Sequence, residues 1–331
     1  MTKPGVSLNP LIAIVGPTAA GKSALALLLA ERLNGEVVNY DSVQLYRGFD
    51  VGSGKLSRAE RRNIPHHLLD CLEPPQTFTA GDFRREARKV LDDLRRRGKI
   101  PIFVGGTGLY LRALLLGLFE GPGRSEHLRE RLRNMAERRG REFLHRLLIR
   151  LDAAAAARIQ PRDTQKLIRA VEVCILTKQP ISEMHAGGRD GLEGYHVIKL
   201  GLDPARAQLY DRINRRVEDM FASGLMEETD ALLHHSDAAR IKALDALGYR
   251  QAREVWAGKT SRQEAVLATQ LATRHYAKRQ LTWFRREADV TWFEGFGDDP
   301  QVQCRIMEAL DRTIAGVGRA APAPTAVLPV P

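Results

Sequence analysis

The sequence predicts an α/β fold in which a parallel sheet is flanked by helices and interrupted by an inserted helical domain. Three observations lead to this prediction. Short runs of apolar, often β-branched residues alternate with helical stretches, which is typical of parallel sheets covered by helices. The first run leads directly into a glycine-rich turn. A region rich in arginine, with apolar residues at helical spacing, then separates two parts of the sheet.

Three apolar runs are predicted as buried strands followed by turns of small or polar residues, and a fourth as a return strand: Leu11–Val15, Glu36–Tyr40, Ile100–Val104 and His196–Leu202. Ser23–Leu33 is dense in Ala and Leu and is predicted as the helix after the first strand. Phe83–Arg97 is an amphipathic helix, and Gly98 ends it. Leu209–His235 and Ser261–Arg286 are predicted as further helices.

The inserted domain is predicted to begin where the composition changes, at about Gly117. Residues 124–150 contain nine arginines and four glutamates, with apolar residues at helical spacing, so a helical domain with a basic face is expected. The end of the chain alternates Ala, Pro and Val, a composition typical of disorder. The predicted division is a core domain, an inserted domain and a disordered tail: residues 1–117 with 191–319, residues 118–190, and residues 320–331.

The composition favours an anionic partner and a reducing compartment. The 331 residues include 51 Lys and Arg against 40 Asp and Glu, a formal net charge of +11, which biases the protein toward nucleic acid, phosphorylated substrates or a membrane surface. Three scattered cysteines, Cys71, Cys174 and Cys304, form neither a disulfide framework nor a zinc pattern. The N-terminal residues lack the apolar core of a signal peptide, and Leu11–Val15 is too short to span a bilayer. We therefore expect a cytoplasmic protein.

The glycine-rich turn after the first strand has the pattern of a phosphate-binding P-loop: Gly16-Pro17-Thr18-Ala19-Ala20-Gly21-Lys22-Ser23. Glycines let the backbone wrap closely around an anion, so that successive N–H groups point at one phosphate. Lys22 adds a cation, the following helix presents its positive end, and Ser23 is predicted to ligate Mg²⁺. The alternative, a purely structural glycine turn, does not require a strand before it and a helix after it. The pattern therefore predicts a P-loop NTPase-like core.

Polar side chains also follow two other predicted strands. Asp41 and Ser42 follow the second strand, and Thr107 follows the third. Ligands of open parallel sheets bind beyond the carboxyl ends of the strands, so these side chains converge with Lys22 and Ser23 if the strands are neighbours. Asp41 would then hold Mg²⁺ through water or act as a general base. The alternatives stay open at this point: Asp41 as a helix N-cap and Thr107 as ordinary turn chemistry.

Two basic groups lie in the C-terminal half of the sequence. Residues 274–286 contain five Lys and Arg and no acid. Arginines contact phosphates and aromatic rings stack on unpaired bases, so this segment fits an RNA contact. The alternative is a solvated helix face with Trp283 and Phe284 in the core. The second group recurs at helical spacing and fits either a diphosphate or RNA contact or an ordinary surface: Arg212, Arg215 and Arg216.

Seven motifs carry a family resemblance. In chain order they are Gly16–Ser23, Asp41–Tyr46, Pro65–Leu68, Gly105–Tyr110, Gln165–Ala170, Leu247–Arg250 and Ala277–Phe284. Together they closely resemble the tRNA dimethylallyltransferase family, also called tRNA isopentenyltransferases. The resemblance extends from about Leu11 to Trp292, which is nearly the whole chain except its tails. The combination is highly specific, although many NTPases share the P-loop alone.

The resemblance implies a reaction and its participants. In this family a dimethylallyl group moves from dimethylallyl diphosphate to the exocyclic N6 amine of the adenosine 3′-adjacent to the anticodon, in tRNAs that read codons starting with U. Diphosphate leaves, and Mg²⁺ assists. The implied partners are a tRNA anticodon stem-loop and dimethylallyl diphosphate, with no membrane and a monomeric enzyme. The target base is flipped into a channel, where it meets the prenyl donor from the other side.

The resemblance also implies roles for individual residues. Asp41 accepts the proton of the adenine amine, Lys22 stabilises the departing diphosphate, and Thr107 contacts the substrate near the reacting centre. The rest of the P-loop, with Arg212 and Arg216, is expected to hold the diphosphate. The expected tRNA contacts are Asp41, Ser42, Val43, Gln44, Thr107, Arg129, Gln165, Lys166, Leu167, Ile168, Arg169, Asp245, Ala246, Leu247, Gly248, Tyr249, Arg250, Lys278, Arg279, Gln280, Leu281, Thr282, Trp283, Phe284 and Arg285.

Two other functions remain open on the residues alone. A small-molecule kinase of the nucleotide or shikimate type explains the P-loop and Asp41 equally well, but it leaves the arginine-rich region and Lys278–Arg286 without a role. A non-catalytic RNA-binding module explains the basic segments, but it has no use for a P-loop. The prenyltransferase accounts for both features, and its chemistry does not require ATP hydrolysis.

Overall fold

The computed structural model describes residues 9–119, 121–140, 142–186 and 190–317. The chain divides into two compact units: residues up to Leu114 together with those from Glu193 onward form the first, and Leu115–Leu192 form the second. The inserted domain predicted from the sequence spans residues 118–190. The predicted tail, 320–331, lies outside the described residues. Among the helices that the structure describes, none has the length and apolar character needed to cross a membrane.

The first unit contains one parallel sheet, as the sequence predicted. Its strands are β1 Asn9–Val15, β2 Gly35–Asn39, β3 His66–His67, β4 Ile100–Val104, β5 Tyr195–Asp203 and β6 Val290–Glu294. They pair in parallel in the order β3-β2-β4-β1-β5-β6. The central strand β1 is almost fully buried from Leu11 to Val15, which explains why a continuous apolar run marks it. The four predicted strands are confirmed.

The two edge strands, β3 and β6, were not predicted. β3 contains only His66 and His67, too few residues for any periodicity to show, and His67 Nε2 lies 2.7 Å from Glu36 Oε2. In β6 only Phe293 is buried, because the strand lies at the edge of the sheet. Such a strand lacks the apolar run by which buried strands are recognised.

Helices make up most of the remaining described structure. In chain order they are α1 Lys22–Arg32, α2 Ala80–Arg96, α3 Gly108–Leu116, α4 Glu126–Arg139, α5 Glu142–Leu151, α6 Ala153–Ala156, α7 Thr164–Thr177, α8 Ile181–Ala186, α9 Arg206–Ala222, α10 Leu225–Leu233, α11 Tyr249–Trp256, α12 Arg262–Phe284 and α13 Pro300–Val317. Short 3₁₀ helices lie at Ala238–Arg240 and Lys242–Asp245. The long helix α12 begins at a capping box, in which the Ser261 hydroxyl accepts from Glu264 N (3.2 Å) and the Glu264 carboxylate accepts from Ser261 N (2.8 Å).

The predicted helix Leu209–His235 is wrong in one respect, because the segment forms two helices. α9 ends at Ala222 and α10 begins at Leu225. Between them Gly224 adopts a φ of 107°, a left-handed conformation that residues with a Cβ rarely adopt. The amphipathic pattern continues on both sides of the break, so the glycine was the one feature of this segment that indicated a helix end.

The second unit packs its helices around an apolar core. Leu132, Leu144 and Leu167 lie at its centre and are at most 2% exposed. Many arginines of α4 and α5 point outward instead, which gives the unit a basic exterior. The exposed ones include Arg131, Arg138, Arg139, Arg146 and Arg150.

Candidate active site

The P-loop turns tightly between β1 and α1. Gly21 is the N-cap of α1 with a φ of 80°, and a Cβ built on it would lie 2.6 Å from Asp298 Oδ1, so its conformation and its surroundings both require glycine. Because α1 begins at Lys22, the first amides of the helix, which have no intrahelical acceptor, lie at the end of the loop. The positive end of the helix dipole adds to them. The backbone therefore forms an anion site.

Lys22 is folded back onto the P-loop. Its Nζ donates to the carbonyl oxygens of Gly16 (3.1 Å) and Pro17 (2.6 Å). Burial lowers the pKa of Lys22 to about 7, with a further contribution from the charge of Arg216, while Asp41 acts in the opposite direction. A bound anion would therefore favour the charged form of this lysine.

Asp41 lies just beyond β2, and its two carboxylate oxygens have different surroundings. Oδ1 accepts from the amides of Val43 (2.9 Å) and Gln44 (3.4 Å), so it caps a turn rather than a helix. Oδ2 lies beside Gly106, where a built Cβ would be 2.9 Å away. The turn fixes the orientation of the carboxylate and leaves Oδ2 as the oxygen for another partner.

Thr107 connects the ends of β2 and β4. Its Oγ1 accepts from Ser42 N (3.0 Å) and donates to Ser42 Oγ (3.1 Å). Its amide donates to Tyr40 O (3.3 Å). Thr107 therefore takes part in turn chemistry, as the structural alternative held, and it also lies beside Asp41. The three predicted strand ends converge.

The three arginines of α9 have different positions. Arg216 donates to Ser53 O (3.5 Å), and burial lowers its pKa while Asp41 opposes the shift. Arg212 forms a bidentate pair with Asp298, with both N–O distances at 2.8 Å, and stacks over Phe296 at 4.1 Å. Arg215 is exposed and lines neither of the cavities described next. Sequence spacing alone did not separate them.

Two cavities of the first unit meet at Asp41 and Arg216. The larger, of about 1120 Å³, is lined by the P-loop from Thr18 to Ser23, and also by Gln44 and Arg212. The smaller, of about 350 Å³, has apolar side chains in its wall. These include Ile213, Val217, Met220 and Leu247. The residues that line both cavities are Thr18, Ala19, Asp41, Ser53, Arg216, Met220 and Tyr276. The two cavities thus share one carboxylate, that of Asp41.

The tRNA contacts predicted along α12 divide by exposure. Four of the side chains are exposed: Lys278, Arg279, Thr282 and Arg285. Two are half-buried: Leu281 and Trp283. Gln280 and Phe284 are buried, at 4% and 1% exposure, although Gln280 also borders the larger cavity. For Phe284 this corrects the predicted direct contact. The reason is that one face of α12 packs on the interior, so the core alternative was right for Phe284.

The predicted segment 245–250 leads into α11. Four of its residues line the smaller cavity: Asp245, Ala246, Leu247 and Tyr249. Arg250 is exposed, whereas Gly248 is buried. Tyr249 is fully buried, and its hydroxyl donates to Glu228 Oε1 (2.5 Å), so its role in the structure is to support the wall of the cavity.

The residues predicted in the second unit also differ in position. Gln165 and Lys166 are exposed, whereas Leu167 and Ile168 are core residues, which corrects their predicted contact. Arg129 and Arg169 both pair with Glu172, a fully buried carboxylate, so both have a structural partner. Burial raises the pKa of Glu172, but the hydrogen bonds from these arginines and from Ser125 N outweigh it and lower the pKa to about 2.

Glu228, which holds a loop of the larger cavity, was not predicted from the sequence. Its carboxylate accepts from three consecutive backbone amides: Asp50 N (3.0 Å), Val51 N (2.9 Å) and Gly52 N (3.1 Å). The carboxylate and this loop are 176 to 178 residues apart in the chain, and a lone glutamate on a helix gives no sign of such a contact. Asp298, the partner of Arg212, was missed for the same reason.

This geometry defines a class of protein: an α/β enzyme with a P-loop anion site and a carboxylate where two cavities meet. Comparison with known families identifies the family within this class. The family model described as IPP transferase matches residues 44–287, and the model described as Isopentenyl transferase matches residues 9–70. The chain belongs to the IPP transferase family.

Curated relatives are similar over most of the chain. A tRNA dimethylallyltransferase of Koribacter versatilis is 54% identical over 301 residues, which are 91% of this chain and 97% of the relative. A tRNA dimethylallyltransferase of Solibacter usitatus is 49% identical over 310 residues, covering 94% and 100%. The family membership makes this chain a prenyltransferase.

Solved structures agree with the curated relatives. The full-length tRNA isopentenylpyrophosphate transferase of Bacillus halodurans is 36% identical with a TM-score of 0.68, covering 94% of this chain and 98% of that one. A eukaryotic dimethylallyltransferase acting on tRNA is 25% identical with a TM-score of 0.79, covering 93% and 80%. These comparisons support the prenyltransferase over the small-molecule kinase.

Proposed function

We propose that this enzyme transfers a dimethylallyl group from dimethylallyl diphosphate to the N6 amine of the adenosine 3′-adjacent to a tRNA anticodon, in tRNAs that read codons starting with U. One observation carries the proposal: Asp41 lies where a cavity lined by the P-loop meets a second, partly apolar cavity. A diphosphate donor and a nucleobase can therefore reach the same carboxylate from two sides. The relatives that match most of the chain are named for this chemistry.

The P-loop cavity suits the diphosphate of the donor. The first amides of α1 and the side chains of Lys22 and Arg216 face it. Negative charge grows on the leaving diphosphate as the carbon–oxygen bond breaks, so fixed donors stabilise the transition state more than the ground state. Arg212, which is paired with Asp298, is a further proposed contact in the wall of this cavity.

Asp41 is proposed as the proton acceptor. The adenine N6 nitrogen attacks the prenyl carbon bonded to the diphosphate oxygen, so that the nitrogen–carbon bond forms as the carbon–oxygen bond breaks. The nitrogen then carries one proton too many, and this proton passes to Asp41 Oδ2. Oδ2 suits the role, since the amides of Val43 and Gln44 already hold Oδ1. Thr107, which lies beside Asp41, is proposed to contact the substrate near the reacting centre.

The residues of the P-loop also fit a Mg²⁺ ion. Ser23 lines the cavity at the start of α1, together with Asp41. Mg²⁺ takes oxygen ligands and commonly combines one or two protein groups with phosphates and water, so Ser23 Oγ and the donor diphosphate form a suitable set. No cluster of three His, Cys, Asp or Glu that suits a metal occurs in the described part of the chain, in keeping with a site completed by substrate. Bound Mg²⁺ would neutralise charge on the leaving diphosphate.

The tRNA is proposed to contact exposed basic and polar residues of each unit. In the first unit these are Arg250, Lys278, Arg279, Thr282 and Arg285, and in the second Gln165 and Lys166. Phosphate contacts from such side chains position an RNA without reading its sequence. The anticodon stem-loop is the proposed partner, and we expect a monomeric enzyme located in the cytoplasm.

Incubation of the protein with dimethylallyl diphosphate, Mg²⁺ and an unmodified tRNA transcript tests the proposal. We expect one dimethylallyl group on adenosine by mass spectrometry, with release of one diphosphate for each group transferred. A parallel reaction with ATP and shikimate or a nucleoside should give no phosphorylated product. The proposal fails if no prenylated adenosine forms with any tRNA that has adenosine at the target position.

A further inference from the structure

We propose that Gln280 is a positioning residue that sets the separation between the diphosphate site and Asp41. This inference rests on the proposed function, since it concerns the alignment of the donor with the proton acceptor. Gln280 lies on α12 and borders the larger cavity, but it is only 4% exposed, so it offers little surface to a substrate. We therefore expect its effect on the reaction to act mainly through the groups that it holds.

The carboxamide of Gln280 joins two loops of the site. Its Oε1 accepts from Thr18 N in the P-loop at 2.8 Å. Its Nε2 donates to Gly106 O, in the loop after β4, at 3.0 Å. These partners are 262 and 174 residues away in the chain. A buried amide bonded at both ends is costly to disturb, because an unpaired partner would remain without water.

Gly106 transmits this position to Asp41. A Cβ built on Gly106 would lie 2.7 Å from Gln280 Nε2 and 2.9 Å from Asp41 Oδ2, so a residue with a side chain would not fit between them without a shift. The next residue, Thr107, bonds to Tyr40 O and to Ser42. Gln280 therefore holds the P-loop at one end and the loop that packs on the proposed base at the other.

Neighbouring residues of α12 strengthen this interpretation. One turn earlier, the Tyr276 hydroxyl donates to the same carbonyl, Gly106 O, at 3.3 Å. On the outer face of the helix, Lys278 and Arg279 are exposed. The helix proposed to contact tRNA is thus the helix that fixes the two loops. A misplacement of about 1 Å between reacting groups can cost on the order of 100-fold in rate.

Two substitutions and one control test the inference. Gln280→Met keeps the size of the side chain and removes both hydrogen bonds. Gln280→Glu keeps an acceptor for Thr18 N, but it can donate to Gly106 O only when the introduced carboxyl is protonated. The control is Gln270→Met, because Gln270 is a buried glutamine of the same helix that bonds to Asn214 and Glu218 and lines neither cavity. Each protein is assayed for single-turnover prenyl transfer, pyrophosphate binding by calorimetry, tRNA binding and thermal unfolding.

We expect Gln280→Met to slow transfer by roughly 10- to 100-fold at saturating substrates, with tRNA affinity within about threefold of wild type. Gln270→Met should lower the unfolding temperature without slowing transfer. For Gln280→Glu, the rate relative to wild type should fall as pH rises and the introduced carboxyl ionises. The charged and titratable groups around it, Asp41, Lys22 and Tyr276, are present in both proteins, so the ratio isolates the new carboxyl.

A Gln280→Met protein that transfers within about twofold of wild type would overturn the inference. If this variant does not fold, Gln280→Glu provides the test. A transfer rate of Gln280→Glu that is close to the wild-type rate at every pH contradicts a positioning role. If wild-type protein shows no prenyl transfer, the proposed function fails separately. Pyrophosphate binding then tests only the hydrogen bond between Gln280 and the P-loop. Weaker pyrophosphate binding by Gln280→Met supports a role for this hydrogen bond, and unchanged binding refutes that role.

Discussion

The two oxygens of the Asp41 carboxylate have separate roles in this account. Oδ1 accepts from Val43 N and Gln44 N, which fixes the plane of the carboxylate. Oδ2, beside Gly106, is the oxygen proposed to orient the adenine amine and accept its proton. Because one oxygen is already held in place, the carboxylate loses little conformational entropy when the other oxygen aligns with the substrate.

Replacement of Asp41 by Asn should remove the proton acceptor while keeping the shape of the side chain. We expect the rate of prenyl transfer to fall by about 100- to 10,000-fold, because general base catalysis contributes on that order. The affinity for tRNA should stay within about threefold, since the carboxamide can still accept from the turn. Asp289→Asn is the matched control, because Asp289 is exposed and belongs to neither cavity. Equal rates for the Asp41 variant and wild type would remove the assignment.

The depressed pKa of Lys22 predicts a pH dependence of diphosphate binding. In the protein without ligand the pKa is about 7, so Lys22 is mostly charged below pH 7 and mostly neutral above it. A bound diphosphate favours the charged form, so the affinity should be highest below pH 7 and decline as pH rises above it. Calorimetric titration with pyrophosphate measures this decline.

Lys22→Arg is the control for that titration, because arginine stays charged throughout the range. Ionisation of pyrophosphate itself affects both proteins equally. The ratio of wild-type to variant affinity should therefore fall above pH 7. A ratio that does not change with pH would show that Lys22 keeps its charge at the site.

At the scale of the residue, the sequence predicted where the candidate catalytic side chains lie and missed the residues that support them. Lys22, Asp41 and Thr107 could be predicted because each follows a strand, and the parallel sheet brings the strand ends together. Gln280 and Glu228 could not be assigned their roles, since their contacts join positions more than 170 residues apart. No local pattern records such a contact.

At the scale of the element, the loop at residues 50–52 depends on α10. Glu228 on this helix accepts from three consecutive amides of the loop, and the adjacent Ser53 O accepts from Arg216. Glu228→Ala should destabilise the protein by about 1–3 kcal/mol, because the amides lose their acceptor, and should raise the KM for the prenyl donor. Chemical denaturation and steady-state kinetics measure both. Glu227→Ala, at an exposed neighbour on the same helix, should change neither.

A second element-scale prediction concerns α7 in the second unit. Glu172 is fully buried between Arg129 and Arg169, and its pKa is lowered to about 2 from an ordinary value of 4.5. Its contribution to folding is therefore present above about pH 4.5 and is lost as pH falls from there toward 2. Glu172→Ala should cost about 3–5 kcal/mol at pH 7, since two arginines lose a buried partner.

Denaturation of wild type and Glu172→Ala across this pH range checks the claim. The difference in unfolding free energy should shrink as the pH falls below 4.5. Glu130→Ala serves as the control, because Glu130 is an exposed glutamate of α4 in the same unit. A difference between wild type and Glu172→Ala that does not change with pH would contradict the charge pairing.

The elements themselves were predicted where their patterns were strong. Buried strands and long amphipathic helices such as α12 were found, because burial imposes a continuous run or a helical period. β6 was missed because it is a half-exposed edge strand, and the break at Gly224 was missed because the period continues across it. Edges and helix ends depend on neighbours that a local window does not contain.

At the scale of the whole molecule, the net charge of +11 should strengthen tRNA binding and make the affinity depend on salt concentration. The double substitution Lys278→Ala with Arg279→Ala removes two exposed cations from α12. We expect weaker tRNA binding and a salt dependence whose logarithmic slope falls by about 1.4–1.8, since each phosphate contact contributes about 0.7–0.9. Filter binding at several salt concentrations measures the slope. Lys259→Ala, at an exposed lysine that is not among the proposed contacts, should leave the slope unchanged.

In the proposed reaction, Asp41 is the carboxylate at which a prenyl diphosphate in the P-loop cavity meets an adenosine of tRNA. The most direct measurement is single-turnover transfer from isotopically labelled dimethylallyl diphosphate to unmodified tRNA, by wild type and by Asp41→Asn, with the product mapped by nuclease digestion and mass spectrometry. We expect one labelled group on N6 of the adenosine 3′-adjacent to the anticodon with wild type, and almost none with the variant. A label at another nucleotide, or equal transfer by the two proteins, would contradict this expectation.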